Sequence, residues 1–198
     1  HLLIQFGYMN WTKVPDSINT SGFHRQFNMY FFFDFPFKTN PKISAALGLG
    51  VGSDNMFFEK TTIDLNQVRG IIFKPDSITQ YKRYKLASAY AEIPLELRYS
   101  SNPENMNKGF KVALGAKVGL NVDGRTRAKV DLDSTGVGGY VAKIANNKSF
   151  NNTRIVGTLR VGYGNFTAYG TYGLTGVFNE DRGPVVKTWS VGLTISGL

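Results

Sequence analysis

Cysteine is absent from the 198 residues. That excludes disulfides, thiolate metal centres and a cysteine nucleophile. Histidine is nearly absent: His1 and His24 are the only two, too few for a histidine-built metal centre. No apolar run approaches the ~18–20 residues that a membrane-crossing helix needs. No secretory leader is visible either. The chain opens directly on the strand-like His1-Leu2-Leu3-Ile4, which is read as a processed or trimmed form. No segment has a useful helical period, and residues 63–70 offer one turn at most. Acidic residues are outnumbered, 14 against 23 basic ones, leaving a net charge of +9. That balance suits anionic surfaces such as lipid headgroups or nucleic acid. The cations are scattered, however, and no nucleic-acid partner and no cofactor is expected.

Glycine (22), phenylalanine (15) and tyrosine (10) are abundant. This mix suits strands and tight turns. Eight stretches show period-2 alternation or strand-like composition: 2–11, 27–37, 42–53, 84–100, 109–122, 153–163, 166–178 and 186–197. The gaps between them alternate in length. Those at 12–26, 54–83 and 123–152 are long, and 179–185 is intermediate. Those at 38–41 and 101–108 are short, and Gly164-Asn165 is a two-residue hairpin signal. Long and short connections alternate in an up-and-down membrane barrel, with the long ones facing the cell exterior. Both termini and the short turns are accordingly expected on the periplasmic side.

Each stretch has a greasy face and a face of small, polar or charged residues. Phe27, Met29, Phe31, Phe33, Phe35 and Phe37 oppose Asn28, Tyr30, Phe32, Asp34 and Pro36. Ala89, Ala91, Ile93, Leu95, Leu97 and Tyr99 oppose Ser88, Tyr90, Glu92, Pro94, Glu96 and Arg98. A soluble barrel would turn the greasy face inward. So many phenylalanines and leucines would overfill an eight-strand interior. The opposite face is moreover rich in glycine (Gly48, Gly50, Gly52, Gly115, Gly119, Gly162, Gly173, Gly192), which suits a crowded lumen and not a solvated sheet. The expected fold is therefore all-β, a single domain over residues 1–198: an eight-stranded antiparallel up-and-down transmembrane β-barrel, closed because no backbone amide can go unpaired in lipid. Tyr8, Trp11, Tyr99, Tyr163, Phe178 and Trp189, at or near strand ends, are candidates for the interfacial aromatic girdles.

The strand Tyr90-Ala91-Glu92-Ile93-Pro94-Leu95-Glu96-Leu97-Arg98-Tyr99 resembles a signature of Bacteroidota outer-membrane barrels of the PorT-like, or outer membrane protein beta-barrel domain, type. The next run, Phe110 to Gly119, and the closing Trp189-Ser190-Val191-Gly192-Leu193-Thr194-Ile195 are similar to that family's strands. The resemblance covers residues 84–198 well and the first third loosely. It implies an outer-membrane location and, by analogy, a place in the type IX secretion or gliding apparatus. The chain ends on Leu198, not on the terminal aromatic common in such proteins.

One constellation stands out. Asp34, Glu92, Glu96, Arg98, Lys111, Lys117 and Arg160 all fall on the inward face. Glu92 and Glu96 are expected to meet Lys111 or Lys117 across adjacent strands. An ion path or a proton-linked site is one reading. A charge-compensated plug is preferred, because an eight-strand barrel leaves little room for a channel and buried carboxylates need cations. The prolines of Asp34-Phe35-Pro36 and Glu92-Ile93-Pro94 are read as bulges that end pairing near the periplasmic strand ends. Gly48-Leu49-Gly50-Val51-Gly52 lacks the helix and spacing of a phosphate loop. His24 near Ser21 raises a lipid-A-modifying hydrolase as an alternative; without a base-and-acid constellation a solvated loop histidine is preferred. Arg125, Arg127, Lys129 and Lys143 suit lipopolysaccharide phosphates or simple solvation.

The function expected is therefore non-enzymatic: a structural or accessory subunit of an envelope complex, in contact with outer-membrane lipids, lipopolysaccharide and a protein partner. A lipid-modifying enzyme and a narrow pore are the alternatives. Asp16-Ser17-Ile18, Asp76-Ser77-Ile78 and Asp133-Ser134-Thr135 resemble the Bacteroidota O-glycosylation sequon and fall in predicted exterior loops, although Pro-Asp-Ser is also a good turn former. Glycan attachment at Ser17, Ser77 and Ser134 predicts native protein heavier than the bare polypeptide. An intact mass equal to that of the polypeptide rules it out.

Overall fold

The computed structural model describes residues 1–12, 22–58, 61–64, 72–75, 81–104, 108–130, 141–145, 151–177 and 186–196. They form β1 (Leu2–Thr12), β2 (Arg25–Pro36), β3 (Ile43–Phe58), β4 (Thr61–Asp64), β5 (Ile72–Pro75), β6 (Tyr81–Ser100), β7 (Phe110–Val130), β8 (Val141–Ala145), β9 (Thr153–Tyr163), β10 (Phe166–Gly173) and β11 (Lys187–Ser196). Eight of these make the wall, in the order β6-β3-β2-β1-β11-β10-β9-β7, and β7 returns to pair with β6. Every pairing is antiparallel between neighbours. The closed eight-stranded barrel expected from the alternation is thus the fold found.

Short connections join β2 to β3, β6 to β7 and β9 to β10, all at the end where the chain's first and last strands terminate. The tightest is Gly164-Asn165. Gly164 sits at φ +60°, where a side chain would be strained, and this reverses the chain between Tyr163 and Phe166 in register. At the other end β6 and β7 run on as a hairpin with β8, which pairs with Arg125–Lys129 of β7. β4 and β5 form a separate two-stranded ribbon.

The structure departs from the alternation reading at this end. Residues 123–130 and 81–83 were expected in loops but continue strands. They carry no apolar stripe, because they rise past the apolar band, so hydrophobic alternation does not reveal them. A bulge at the Ala89/Tyr90 step resets the register: Tyr90 pairs with Asn121 and Ala89 with Asp123, leaving Val122 as the extra residue. Residues 63 and 64 lie in β4 and make no helical turn. β10 ends at Gly173, and residues 174–177 follow it as bends that still bond to the flanking segments through Leu174 N to Ile155 O and Val177 N to Val186 O.

Polarity is inverted with respect to a soluble protein. Phe31, Leu95 and Leu193 are 51–66% exposed, whereas Glu92 is 1% and Lys117 2% exposed. The outward stripes of the eight strands join into one apolar belt. Tyr99, Tyr163, Phe37 and Phe166 ring its terminal edge, and Phe23, Tyr8 and Trp189 cluster at the other, with Tyr8 5.4 Å from Phe23 and 5.9 Å from Trp189. Trp11 is not part of a girdle. It shares the inward parity of Leu3, Gln5 and Met9 and is buried inside the barrel. Phe178 lies outside the described residues.

The prolines also behave differently from the expectation of bulges. Pro36 closes β2 opposite Ser44. Pro94 lies well inside β6, and the β3–β6 register is unchanged across it: Leu47 pairs with Leu95 and Gly50 with Glu92. The ladder skips the Gly48 and Leu49 positions, since proline offers no N–H. Gly48 makes this tolerable. A Cβ there would lie 2.9 Å from both the Pro94 ring and the Phe32 ring, so only glycine leaves room for the two to pack in the lumen.

An outward belt of this kind is stable only in hydrocarbon. Leu95 sits near mid-height of the belt, so Leu95→Arg is expected to lower folding stability in a bilayer by about 2–4 kcal/mol. Urea unfolding in liposomes checks this. An unchanged midpoint contradicts the outward assignment.

Candidate functional site

The lumen is closed at mid-height by side chains from five strands. Glu92 of β6 is the hub. Its Oε2 accepts hydrogen bonds from Lys117 Nζ of β7 at 3.0 Å and from the Tyr30 hydroxyl of β2. Its Oε1 accepts from Arg154 Nε of β9 at 2.9 Å and from Nη2 at 2.5 Å. Arg154 Nη1 reaches across to Asp54 of β3. Lys117 Nζ also donates to Tyr30 at 2.8 Å. The Arg154 guanidinium lies 3.5 Å from the centre of the Tyr90 ring, a cation–π contact strengthened by the burial of both side chains.

These contacts follow from strand parity. Even-numbered residues of β2, β3, β6 and β9 and odd-numbered ones of β7 up to Asn121 point inward. Gly52 and Gly119 beside the hub matter for space: a Cβ at Gly52 would lie 2.9 Å from Glu92 Oε2, and one at Gly119 3.0 Å from the Arg154 stem. Uncompensated, each buried charge would cost several kcal/mol of desolvation. Here two carboxylates meet two cations, with a phenol filling a remaining lone pair.

A polar chain continues the network around the lumen. Gln26 Nε2 donates to Asp54 Oδ1 at 3.0 Å, while its Oε1 accepts from Ser190 Oγ at 2.6 Å and from Tyr169 at 3.3 Å. Asn28 donates to Gln5 at 3.1 Å, and Gln5 donates to Thr194 at 3.1 Å. A second ionic layer lies nearer the terminal end. Arg160 binds Glu96, Arg98 Nε donates to Glu96 Oε2 at 2.8 Å, and Arg98 Nη1 donates to Asp34 Oδ1 at 2.6 Å. His1 Nδ1 stands 2.8 Å from Asp34. Phe32 separates the layers, with Arg98 4.2 Å from its ring centre.

Of the seven inward charges read from the sequence, Glu92 and Lys117 meet directly, and Asp34, Glu96, Arg98 and Arg160 form the second layer. Lys111 does not reach Glu92 or Glu96: Glu96 is taken by Arg98, two residues along the same face of β6, and by Arg160, whose long side chain reaches past β7 from β9. Asp54, Arg154 and Tyr30 belong to the hub but were not in the sequence-derived set. Arg154 shares the parity of Arg160 on the same strand. Asp54 extends the Gly48, Gly50, Gly52 series by one step, just past where the stretch was ended.

His24 is buried, not solvated. Its Nδ1 accepts from the Phe57 backbone N–H at 3.1 Å, and its ring stacks 5.9 Å from Tyr8. Burial holds its imidazole below the ordinary histidine range, in the neutral form that such an acceptor requires. Ser21 lies outside the described residues, as do Ser17, Ser77 and Ser134. The side chains of Arg125, Arg127, Lys129 and Lys143 are likewise not described; the backbone places Arg127 opposite Lys143 on the β7–β8 hairpin. Among the described residues no group of three or more His, Cys, Asp or Glu side chains is placed to hold a metal ion.

Residues 5–179 match the family described as outer membrane protein beta-barrel domain. No curated protein and no solved structure gives a significant match to the chain.

The hub predicts an asymmetry. Glu92→Gln leaves Lys117 without a carboxylate and is expected to cost about 3–5 kcal/mol. Lys117→Met costs less, because Arg154 and Tyr30 still satisfy Glu92. Adding Lys117→Met to Glu92→Gln restores part of the loss. Urea midpoints of the three variants check this, and a double variant no more stable than Glu92→Gln alone contradicts it.

Proposed function

The chain belongs to the outer membrane protein beta-barrel domain family and is an outer-membrane β-barrel; from that premise we propose that it is a non-enzymatic structural or accessory subunit of an envelope complex. The observation that carries the proposal is the filled lumen. Glu92, Lys117, Tyr30 and Phe32 are each at most 3% exposed at mid-height, so the axis is occupied by interactions that hold the wall together. What remains for work is the outer wall and the rims. In this reading the termini and the short turns are periplasmic, and the long connections face the exterior. There the hairpin extension of β6, β7 and β8 stands clear of the apolar belt and offers a docking surface. Arg125, Arg127, Lys129 and Lys143 would meet lipopolysaccharide phosphates. The resemblance of residues 84–198 to PorT-like Bacteroidota barrels supports secretion or gliding machinery as the complex.

Two measurements test the proposal. The purified barrel in a planar bilayer is expected to show no stepwise conductance. Extraction from native membranes in mild detergent is expected to bring a stoichiometric protein companion. A conducting, solitary monomer overturns the accessory role in favour of a pore. Altered lipid A on His24→Ala substitution overturns it in favour of an enzyme.

A further inference from the structure

Beyond the second ionic layer the lumen opens to solvent at the terminal end. The cavity there is small, about 60 Å³, and is lined by Asp34, Arg98, Lys111, Arg160, Thr167 and Ser196, among others. Its charges do not balance. Asp34 is taken by Arg98 and His1, and Glu96 by Arg98 and Arg160. Three cations therefore face two carboxylates that are already engaged. Lys111 has no ion-pair or hydrogen-bond partner among the described residues. Thr167, 3% exposed, carries a hydroxyl that is buried without a hydrogen-bond partner.

Register brings these two unsatisfied groups together. Lys111 pairs with Gly162 across β7 and β9, and Gly162 pairs with Thr167 across β9 and β10. The three form one row on the lumen wall. The middle position has no side chain; a Cβ at Gly162 would lie 2.8 Å from Thr167 Cγ2. Strand spacing sets the two outer backbones about 10 Å apart, on a wall that is concave toward the lumen. The absent side chain at Gly162 lets Thr167 lean over the wall, and Lys111 and Thr167 line one cavity together with the guanidinium groups of Arg98 and Arg160.

We propose that this cavity binds a phosphate-type oxyanion. Lys111 supplies the uncompensated charge, acting as a point-charge donor, and Thr167 donates a hydrogen bond. Arg98 and Arg160 keep the local potential positive while remaining tied to their carboxylates. The anion would neutralise a cation that the barrel otherwise leaves half-buried without a counter-charge, which is the condition under which an ion is worth binding. The same chemistry is carried by free phosphate and by the phosphomonoester of a lipid, and the two are separable by experiment.

The test uses the full chain folded in a maltoside detergent without phosphate. Isothermal titration with inorganic phosphate, at ionic strength held constant with chloride, is expected to give saturable single-site binding. Lys111→Met is expected to weaken it about tenfold or more, the loss of one charge-assisted hydrogen bond. Tighter binding of short-chain phosphatidic acid supports the lipid as the source, and equal or weaker binding supports the free anion. Flat titrations with both, or binding unchanged in Lys111→Met, overturn the proposal. Should that variant lose the heat-modifiable gel mobility of a folded barrel, the unaltered protein still decides. Acetylation of Lys111 by an amine-reactive ester, followed by peptide mass spectrometry, is expected to slow in phosphate relative to chloride, and an unchanged rate overturns the proposal.

Discussion

The structure depends on one constraint: a strand in hydrocarbon must pair both of its edges. Water is not there to take an unpaired amide, and each such group costs several kcal/mol. A sheet that meets this condition must close, and β7 pairing with β6 is the closure. With eight strands the lumen is only wide enough for side chains. Everything else about the interior follows from that diameter. Glycines recur on the inward face because side chains from the two flanking strands lean over the same space, as Pro94 and Phe32 do at Gly48.

The same constraint explains why charge goes to the axis. The outward positions are reserved for apolar groups, so every polar residue in the band must turn inward, where little water fits. A lone carboxylate in that position would be destabilising. Glu92 is tolerated because Lys117, Arg154 and Tyr30 converge on it from three strands, and Asp54 because Arg154 and Gln26 reach it. Such a network is specific more than it is strong. A register slip of one residue would send Glu92 into lipid and strand its partners, so the ion pairs act against alternative pairings of long, flat strands.

Alternation made the wall legible in the sequence. Phe27 to Phe37 against Asn28 to Pro36 is a period-2 pattern that no helix accommodates, and the bulk of the greasy face showed which side met lipid. The inward parity of Glu92, Glu96, Arg98 and Lys117 followed directly. What alternation does not encode is which charges meet across the lumen, because that depends on barrel curvature and side-chain reach. Lys111 was matched to a neighbouring carboxylate on the adjacent strand, yet Arg98 of the same strand and Arg160 of β9 hold Glu96. Trp11 was read as a girdle residue from its place near a strand end, although its odd number on β1 already put it inside. His24 was read as solvated because loops usually are, but the backbone of β3 passes close enough to bury it. The strand extensions beyond Val122 carry no apolar stripe and could not be seen by hydrophobicity.

The two ends of the lumen differ in a way that bears on function. Toward the end with the long connections the interior is packed with Trp11, Met56, Leu86 and Tyr90. Toward the terminal end it opens, and the charges there are in excess of their partners. At the terminal end the interior opens to solvent beside Lys111 and the unpartnered Thr167 hydroxyl. The opposite end meets its surroundings through the strands that rise above the apolar belt. A barrel built this way divides its labour. The middle holds the wall in register, the long-connection rim is, in the proposed function, the protein-facing surface, and the terminal mouth supplies a small polar cavity. Neither rim needs the lumen to conduct, and the central network would have to be broken, at the cost of stranded buried charges, for it to do so.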